Sequence, residues 1–162
     1  MDSIVIIQQN LGIETMDKYD RKIIALLYED ARLSYAELAR RVSLSPPAVA
    51  ERVDKLERAG VITGYRAQLD PTRLGYPIHC LVELTVKHLE FFVAVERIRA
   101  MPEIVECHSI TGTSGLLMKA VVDTMPTLQA LIARLMQLGD TKTSMLIDTP
   151  VPPRLPPLRA GE

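Results

Sequence analysis

Ser34–Gly60 reads SYAELARRVSLSPPAVAERVDKLERAG, and its punctuation predicts two helices joined by a short turn. Ser34 and Glu37 have the spacing of a capping box, which opens the first helix. Leu38 and Val42, four apart, form its inner face. Ser43 and Leu44 make the turn. Ser45 is a good N-cap for the second helix, and Pro46 suits the first helical position, where a missing N–H costs nothing. Val49, Val53 and Leu56 fall at i, i+4 and i+7 and give that helix one buried stripe. Gly60 follows the last periodic residue, as a C-terminal glycine should.

Helical geometry then sets what faces outward. Ala48, Glu51, Arg52 and Lys55 cluster roughly 120° from the stripe. A helix entering the major groove needs small residues where it approaches and hydrogen-bonding or charged ones beyond. Ser45, Pro46, Pro47 and Ala48 supply the first, and Glu51, Arg52 and Lys55 the second. The N-terminus at Ser45 is expected to offer free N–H groups to a phosphate. An ordinary helical hairpin with solvated charges fits the same periodicity, which is weakly specific. Local charge separates the two. Residues 40–66 hold six basic and three acidic side chains, residues 14–39 four and six, so the basic excess coincides with the candidate DNA-reading element. Arg40, Arg41, Arg52 and Lys55 are the candidate phosphate or base contacts, and Tyr35 a further phosphate donor.

The run Met16–Tyr65 resembles the DNA-binding domain of the Lrp/AsnC, or feast/famine, family of regulators. The resemblance rests on Asp17 and Asp20-Arg21 opening a first helix, Leu44-Ser45-Pro46 at the turn, Glu51-Arg52-Val53, Leu56-Glu57, Gly60-Val61-Ile62 and Gly64-Tyr65. Ser43 departs from it, since the family usually has Gly there. A positive φ at that position would carry a modest strain in Ser.

A chain of 162 residues holds one domain or two small ones, and 48% hydrophobic content suffices for a core. The net charge of −1 weighs against nucleic-acid binding for the chain as a whole, but local distribution matters more, and dimerisation doubles a basic patch. Without Trp and with 4% aromatics, a base-stacking single-strand reader is disfavoured. Cys80 and Cys107 have no CxxC spacing and make no disulfide framework; buried, reduced thiols on strands are expected. The apolar run Ile4–Ile7 is too short for a signal peptide or a membrane span, which predicts a soluble, cytoplasmic protein without membrane contact.

Along the chain, residues 1–15 read as an N-terminal arm, either a short strand or a mobile segment. Asp17 caps a helix to about Glu29, with Tyr19, Ile23, Leu26 and Leu27 inward. A wing or connecting strand is expected at 61–69, closing a three-helix winged helix-turn-helix domain at 16–69. Asp70-Pro71 and Gly75-Tyr76-Pro77 mark a linker at 70–77. Residues 78–149 then read β-α-β-β-α-β. Strands are expected at 78–86, 103–111, 116–122 and 142–148, and helices at 89–101 and 126–138. Gly112–Gly115 is a tight loop and Gly139-Asp140 a turn. This is a ferredoxin-like α+β layout whose uncovered sheet face calls for a partner. It is also the order of the family's ligand-sensing and oligomerisation domain, which Glu103–His108, Thr111-Gly112 and Leu116–Lys119 resemble. Residues 150–162 are Pro-rich, expected as a disordered, polyproline-like tail; a docking segment for a protein partner is the alternative.

No P-loop, nucleophile elbow or HExxH is present, and His79, His88 and His108 lack metal-ligand spacing, so neither an enzyme nor a cofactor or metal site is expected. The resemblance makes Gly112, Thr113, Ser114 and Gly115, with His108, the candidate effector site. The family often reads Gly-Asp-x-Asp in this loop; here Thr113 and Gly115 stand where the acids would be. It further implies a regulator that binds double-stranded DNA as a homodimer, assembled into an octamer of four dimers, with an amino acid or other small effector between subunits. Siroheme decarboxylases share the two-domain layout and form the competing, enzymatic reading.

Overall fold

The computed structural model describes residues 16–87 and 89–158; the expected arm at 1–15 and His88 lie outside them. Two compact units are present, one comprising residues up to Ala67 together with those from Pro153 on, the other Gln68–Pro152.

The first unit contains α1 (Lys18–Glu29), α2 (Tyr35–Val42) and α3 (Pro46–Arg58). Each begins at a side-chain cap. The Asp17 carboxylate accepts the N–H groups of Tyr19 and Asp20 at 2.7 and 2.9 Å, and Asp20 accepts the Asp17 N–H in return. Ser34 and Glu37 form the same reciprocal box at α2, and Ser45 accepts from Ala48 at α3. Ile23, Ile24, Leu27, Leu38, Val42, Val49, Val53 and Leu56 are buried as one core. Tyr19 and Leu26 are only partly buried, and Ile24 takes the inward place expected of Leu26. Gly60, at φ 69°, ends α3: its N–H bonds to the Glu57 carbonyl and that of Val61 to Leu56, a Schellman arrangement. Residues 61–69 run without ladder pairing, because no strand of the described chain lies beside them where a wing strand was expected.

The second unit carries β1 (Ile78–Val86), α4 (Phe91–Arg99), β2 (Ile104–Ser109), β3 (Leu116–Val122), α5 (Met125–Met136) and β4 (Gly139–Met145). The strands form one antiparallel sheet in the order β2-β3-β1-β4. Alternation decides its faces. Cys80, Val82 and Leu84 of β1 and Leu116, Met118, Ala120 and Val122 of β3 are buried against Ile98 of α4 and Leu128, Leu131 and Leu135 of α5. Each such leucine contributes about 1.5–3 kcal/mol by burial. Leu81, Glu83, Thr85, Leu117 and Lys119 lie on the other face, which no helix of this unit covers.

The structure departs from the sequence reading at the start of β4, at Cys107 and in the Pro-rich tail. The chain turns at Gln137-Leu138, so β4 starts at Gly139, three residues early. Gly139 pairs with Val86, and a Cβ there would lie 1.9 Å from the Thr85 carbonyl oxygen. That glycine permits close strand approach instead of a turn. Cys107, expected buried, is exposed, because β2 is an edge strand whose residues from Val105 to Ser109 all face solvent; Cys80 is buried, and both thiols are free. The Pro-rich tail is extended but not detached: Leu155 and Leu158 pack on the helical core.

Ser43, at φ 59° and ψ 46°, is the C-cap of α2 and the only non-glycine with positive φ among the described residues. The left-handed conformation disfavours any residue with a Cβ. Ser43→Gly is expected to raise stability by about 0.5–1 kcal/mol in urea titration; a loss of stability would mean that the Ser43 side chain offsets the strain.

Candidate nucleic-acid interface and effector loop

The outward face of α3 is arranged as its periodicity predicts. Ala48, Glu51, Arg52 and Lys55 line one cleft of about 470 Å³ with Arg58, Asp17 and Asp20. Three acidic and three basic side chains share it, so this cleft is not itself a basic pocket. Tyr35, Arg40 and Arg41 of α2 and Ser45, Pro46 and Pro47 at the start of α3 are all exposed.

Arg52 sits differently from expectation. Its Nη1 donates to Asp17 at 2.7 Å and to Asp20 at 2.6 Å, and its guanidinium lies 5.4 Å from the centre of the Tyr19 ring. Asp20 is buried, at 4% exposure, the one charged residue buried among those described. The contact with Asp20, above all, raises the Arg52 pKa further. Burial pushes the Asp17 carboxyl up, but the Asp20 N–H, Arg52 and the Tyr19 N–H together hold it below its usual value. Arg52 therefore fastens α3 to the N-terminus of α1 and is occupied by protein carboxylates. The helical wheel placed it correctly on the outer face; its partners lie 32 and 35 residues away and left no local signal.

The N-terminus of α3 also corrects the reading. Pro46 and Pro47 have no N–H, that of Ala48 goes to Ser45 Oγ at 3.4 Å, and that of Val49 to the Ser45 carbonyl. The first turn has no spare backbone donor for a phosphate. The Ser45 hydroxyl, itself an acceptor here, keeps its own proton to donate. Tyr65, absent from the predicted site, donates to Glu57 of α3 at 2.9 Å; burial first, and then that carboxylate, push its pKa up to about 12.

In the other unit, the loop 112–115 is tied to β1. Thr85 Oγ1 donates to the Thr113 carbonyl at 3.1 Å, and Ser114 Oγ to Glu83 Oε2 at 3.0 Å. Gly112 takes φ 110°, which glycine permits. Glu83 brings to the loop a carboxylate that the sequence reading missed, with Lys142 at 3.5 Å from it. His108 is not drawn into the loop: it pairs with Glu106 at 2.7 Å on the exposed edge strand. A cleft of about 320 Å³ lies beside the stems of the loop, lined by Ile98, Arg99, Ile104, Cys107, Ser109 and Leu116 among others. Among the described residues, no cluster of His, Cys, Asp or Glu could hold a metal ion, and no helix is long and apolar enough to cross a membrane.

Arg52→Ala leaves Asp20 buried without its cation, and should cost about 3 kcal/mol of stability in urea titration, an unchanged midpoint counting against the clamp. The pH dependence has a defined sign. The lowered Asp17 pKa contributes stability that is present above its unfolded value, near 3.9, and is lost as pH falls through the lower folded value. Asp17→Asn is expected to flatten the acid limb of the stability curve below about pH 4. An acid limb of unchanged slope would remove Asp17 from the clamp.

The winged helix-turn-helix DNA-binding family matches residues 16–63, and the Lrp/AsnC ligand binding domain matches residues 79–156. The HTH-type transcriptional regulator LrpC of Bacillus subtilis is 35% identical over 137 residues, covering 83% of this chain and 95% of that protein. Its solved structure superposes with a TM-score of 0.80, covering 83% of this chain and 96% of that one at 34% identity. The leucine-responsive regulatory protein of Escherichia coli K12 is 36% identical over 143 residues, 82% of this chain and 85% of that protein. A transcriptional regulator of Neisseria meningitidis solved as a complex with L-Met matches at 28% identity with a TM-score of 0.76, covering 85% of this chain and 93% of that one. These relatives lend no support to the tetrapyrrole-enzyme alternative. With a capped helix-turn-helix in one unit and the four-stranded α+β sheet in the other, the chain belongs to the Lrp/AsnC family of transcriptional regulators.

Proposed function

We propose that α3 reads the major groove of duplex DNA, with Arg40, Arg41 and Lys55 contacting phosphates or bases and Arg52 positioning the helix through its bonds to Asp17 and Asp20. The observation that carries this reading is the small-residue start of α3 (Ser45, Pro46 and Pro47 exposed, Ala48 partly buried) beside the exposed arginines of α2. Alanine and proline surfaces suit close approach to base edges and thymine methyl groups. Tyr35 and the Ser45 hydroxyl add neutral phosphate donors, and Glu51 is placed to accept from a cytosine amino group.

The uncovered sheet face, with Leu81 and Leu117 among its side chains, supports a homodimer, and four such dimers an octamer. A dimer presents two α3 helices, so the operator is pseudo-palindromic with half-sites one helical turn apart, about 34–36 Å. Genomic footprinting tests both statements; protection lacking paired half-sites at that spacing would overturn them.

Arg40→Ala and Arg41→Ala should each weaken binding to all duplexes and lower the slope of log affinity against log salt by about one unit per phosphate contact. A filter-binding slope that stays constant would take that arginine off the interface.

We infer further that a small effector is held between subunits at Gly112, Thr113, Ser114 and Gly115. The match to a ligand-binding domain and the relative solved with L-Met support an effector of amino-acid type. An amino acid needs a carboxylate partner and an ammonium partner. Backbone N–H groups and the loop hydroxyls serve the first. For the second, Thr113 and Gly115 bring no charge, and Glu83 is already met by Lys142 and the Ser114 hydroxyl. A charge-assisted hydrogen bond contributes roughly 1.5–3 kcal/mol, so its loss weakens binding about ten- to a hundredfold. Calorimetry should find leucine and similar amino acids binding no tighter than about millimolar, with Thr113→Asp strengthening them. Micromolar affinity for any common amino acid would contradict this.

A further inference from the structure

We propose that the open edge of β2 receives β2 of a second copy of this chain, antiparallel, in the register that sets Cys107 opposite itself. This contact joins the sheet-face dimers proposed above to one another. The joining rests on that dimer reading; the edge pairing does not.

β2 stands at the end of the strand order β2-β3-β1-β4, so among the described residues no strand lies on its outer side. It carries neither Pro nor Lys, residues that commonly blunt an edge. The bonding phase tells which backbone groups stay open. The Ile110 N–H bonds to the Gly115 carbonyl. In an antiparallel ladder, bonded pairs alternate with non-bonded ones. His108 therefore spends its backbone groups on Leu117, while Cys107 and Ser109 turn theirs outward.

An isologous antiparallel pair must match outward residues with outward residues, so its two-fold axis passes through a residue and not between two. Val105 lies in the bulge between Ile104 and Glu106, and Ser109 ends the strand, which leaves three centres. Centring on Glu106 sets two carboxylates opposite each other, a repulsive pair. Centring on His108 leaves Glu106 opposite Ile110. Centring on Cys107 sets Glu106 opposite His108 of the second copy, twice, in the non-bonded pairs where side chains approach most closely. Within one chain these two groups already meet at 2.7 Å.

The helix-covered face agrees with that register. Val95 and Arg99 of α4 line a cleft together with Cys107. Phe92 lies about 20° from Arg99 around the helix, on the same flank, and is 74% exposed. A two-fold axis normal to the sheet keeps both α4 helices on one side, so each Phe92 gains cover as the second α4 comes alongside. The sheet-face dimer is a separate isologous contact, and two such contacts with different axes close into an assembly larger than a dimer.

The test uses the full chain. Cys80 is buried, so dibromobimane, a short thiol-bridging reagent, reacts at Cys107. At low micromolar concentration it should link two chains, and Cys107→Ser should abolish the link. His108→Glu sets like charges opposite each other and should weaken the larger assembly about tenfold in sedimentation equilibrium. Exchanging the pair, Glu106→His with His108→Glu, should restore it. No link at Cys107, an unchanged assembly in His108→Glu, or no recovery on exchange overturns the proposal. A chain that links but falls to monomers instead of dimers in His108→Glu keeps the edge contact and removes the sheet-face dimer.

Discussion

One guanidinium organises the helical domain. Arg52 reaches from α3 to the two carboxylates that start α1, and one of them, Asp20, is buried. A buried carboxylate without a cation is costly, so the position of α1 over α3 follows from this contact as much as from the apolar core. The same residue sits on the exposed face of the helix proposed to read DNA. Stability and presentation of the reading surface are therefore coupled at one side chain, and a substitution there alters both.

The sheet domain depends on a different constraint. Its strands bury one face under α4 and α5 and leave the other without cover. Leu81 and Leu117 alternate there with Glu83, Thr85 and Lys119, a mixture too polar for a core and too apolar for an ordinary surface. The proposed dimer would cover such a face and bring two helical domains into one particle.

Local chemistry was legible in the sequence wherever one residue acts on a neighbour. The capping boxes at Asp17 and Ser34, the N-cap at Ser45, the stripe Val49/Val53/Leu56 and the alternation of Ile78–Val86 all lie within a few positions of what they control. Gly60 ends α3 for the same reason. What could not be read depends on residues far apart in the chain. The partners of Arg52 come from the opposite end of the domain, Glu83 meets Ser114 across a strand pairing, and Gly139 is small because the Thr85 carbonyl lies against it. At the N-terminus of α3 the general rule for helices overstates the free N–H groups, because this one opens with two prolines.

Leu155 and Leu158 complete the core of a domain that begins near the other end of the chain. A ribosome releases the helices of that domain early, long before these leucines are made, and N-terminal domains generally fold during synthesis. The helical domain must then fold first with part of its apolar surface open. It is finished only after the whole sheet domain has been translated, which makes Leu155 and Leu158 a seal on the first structure to form.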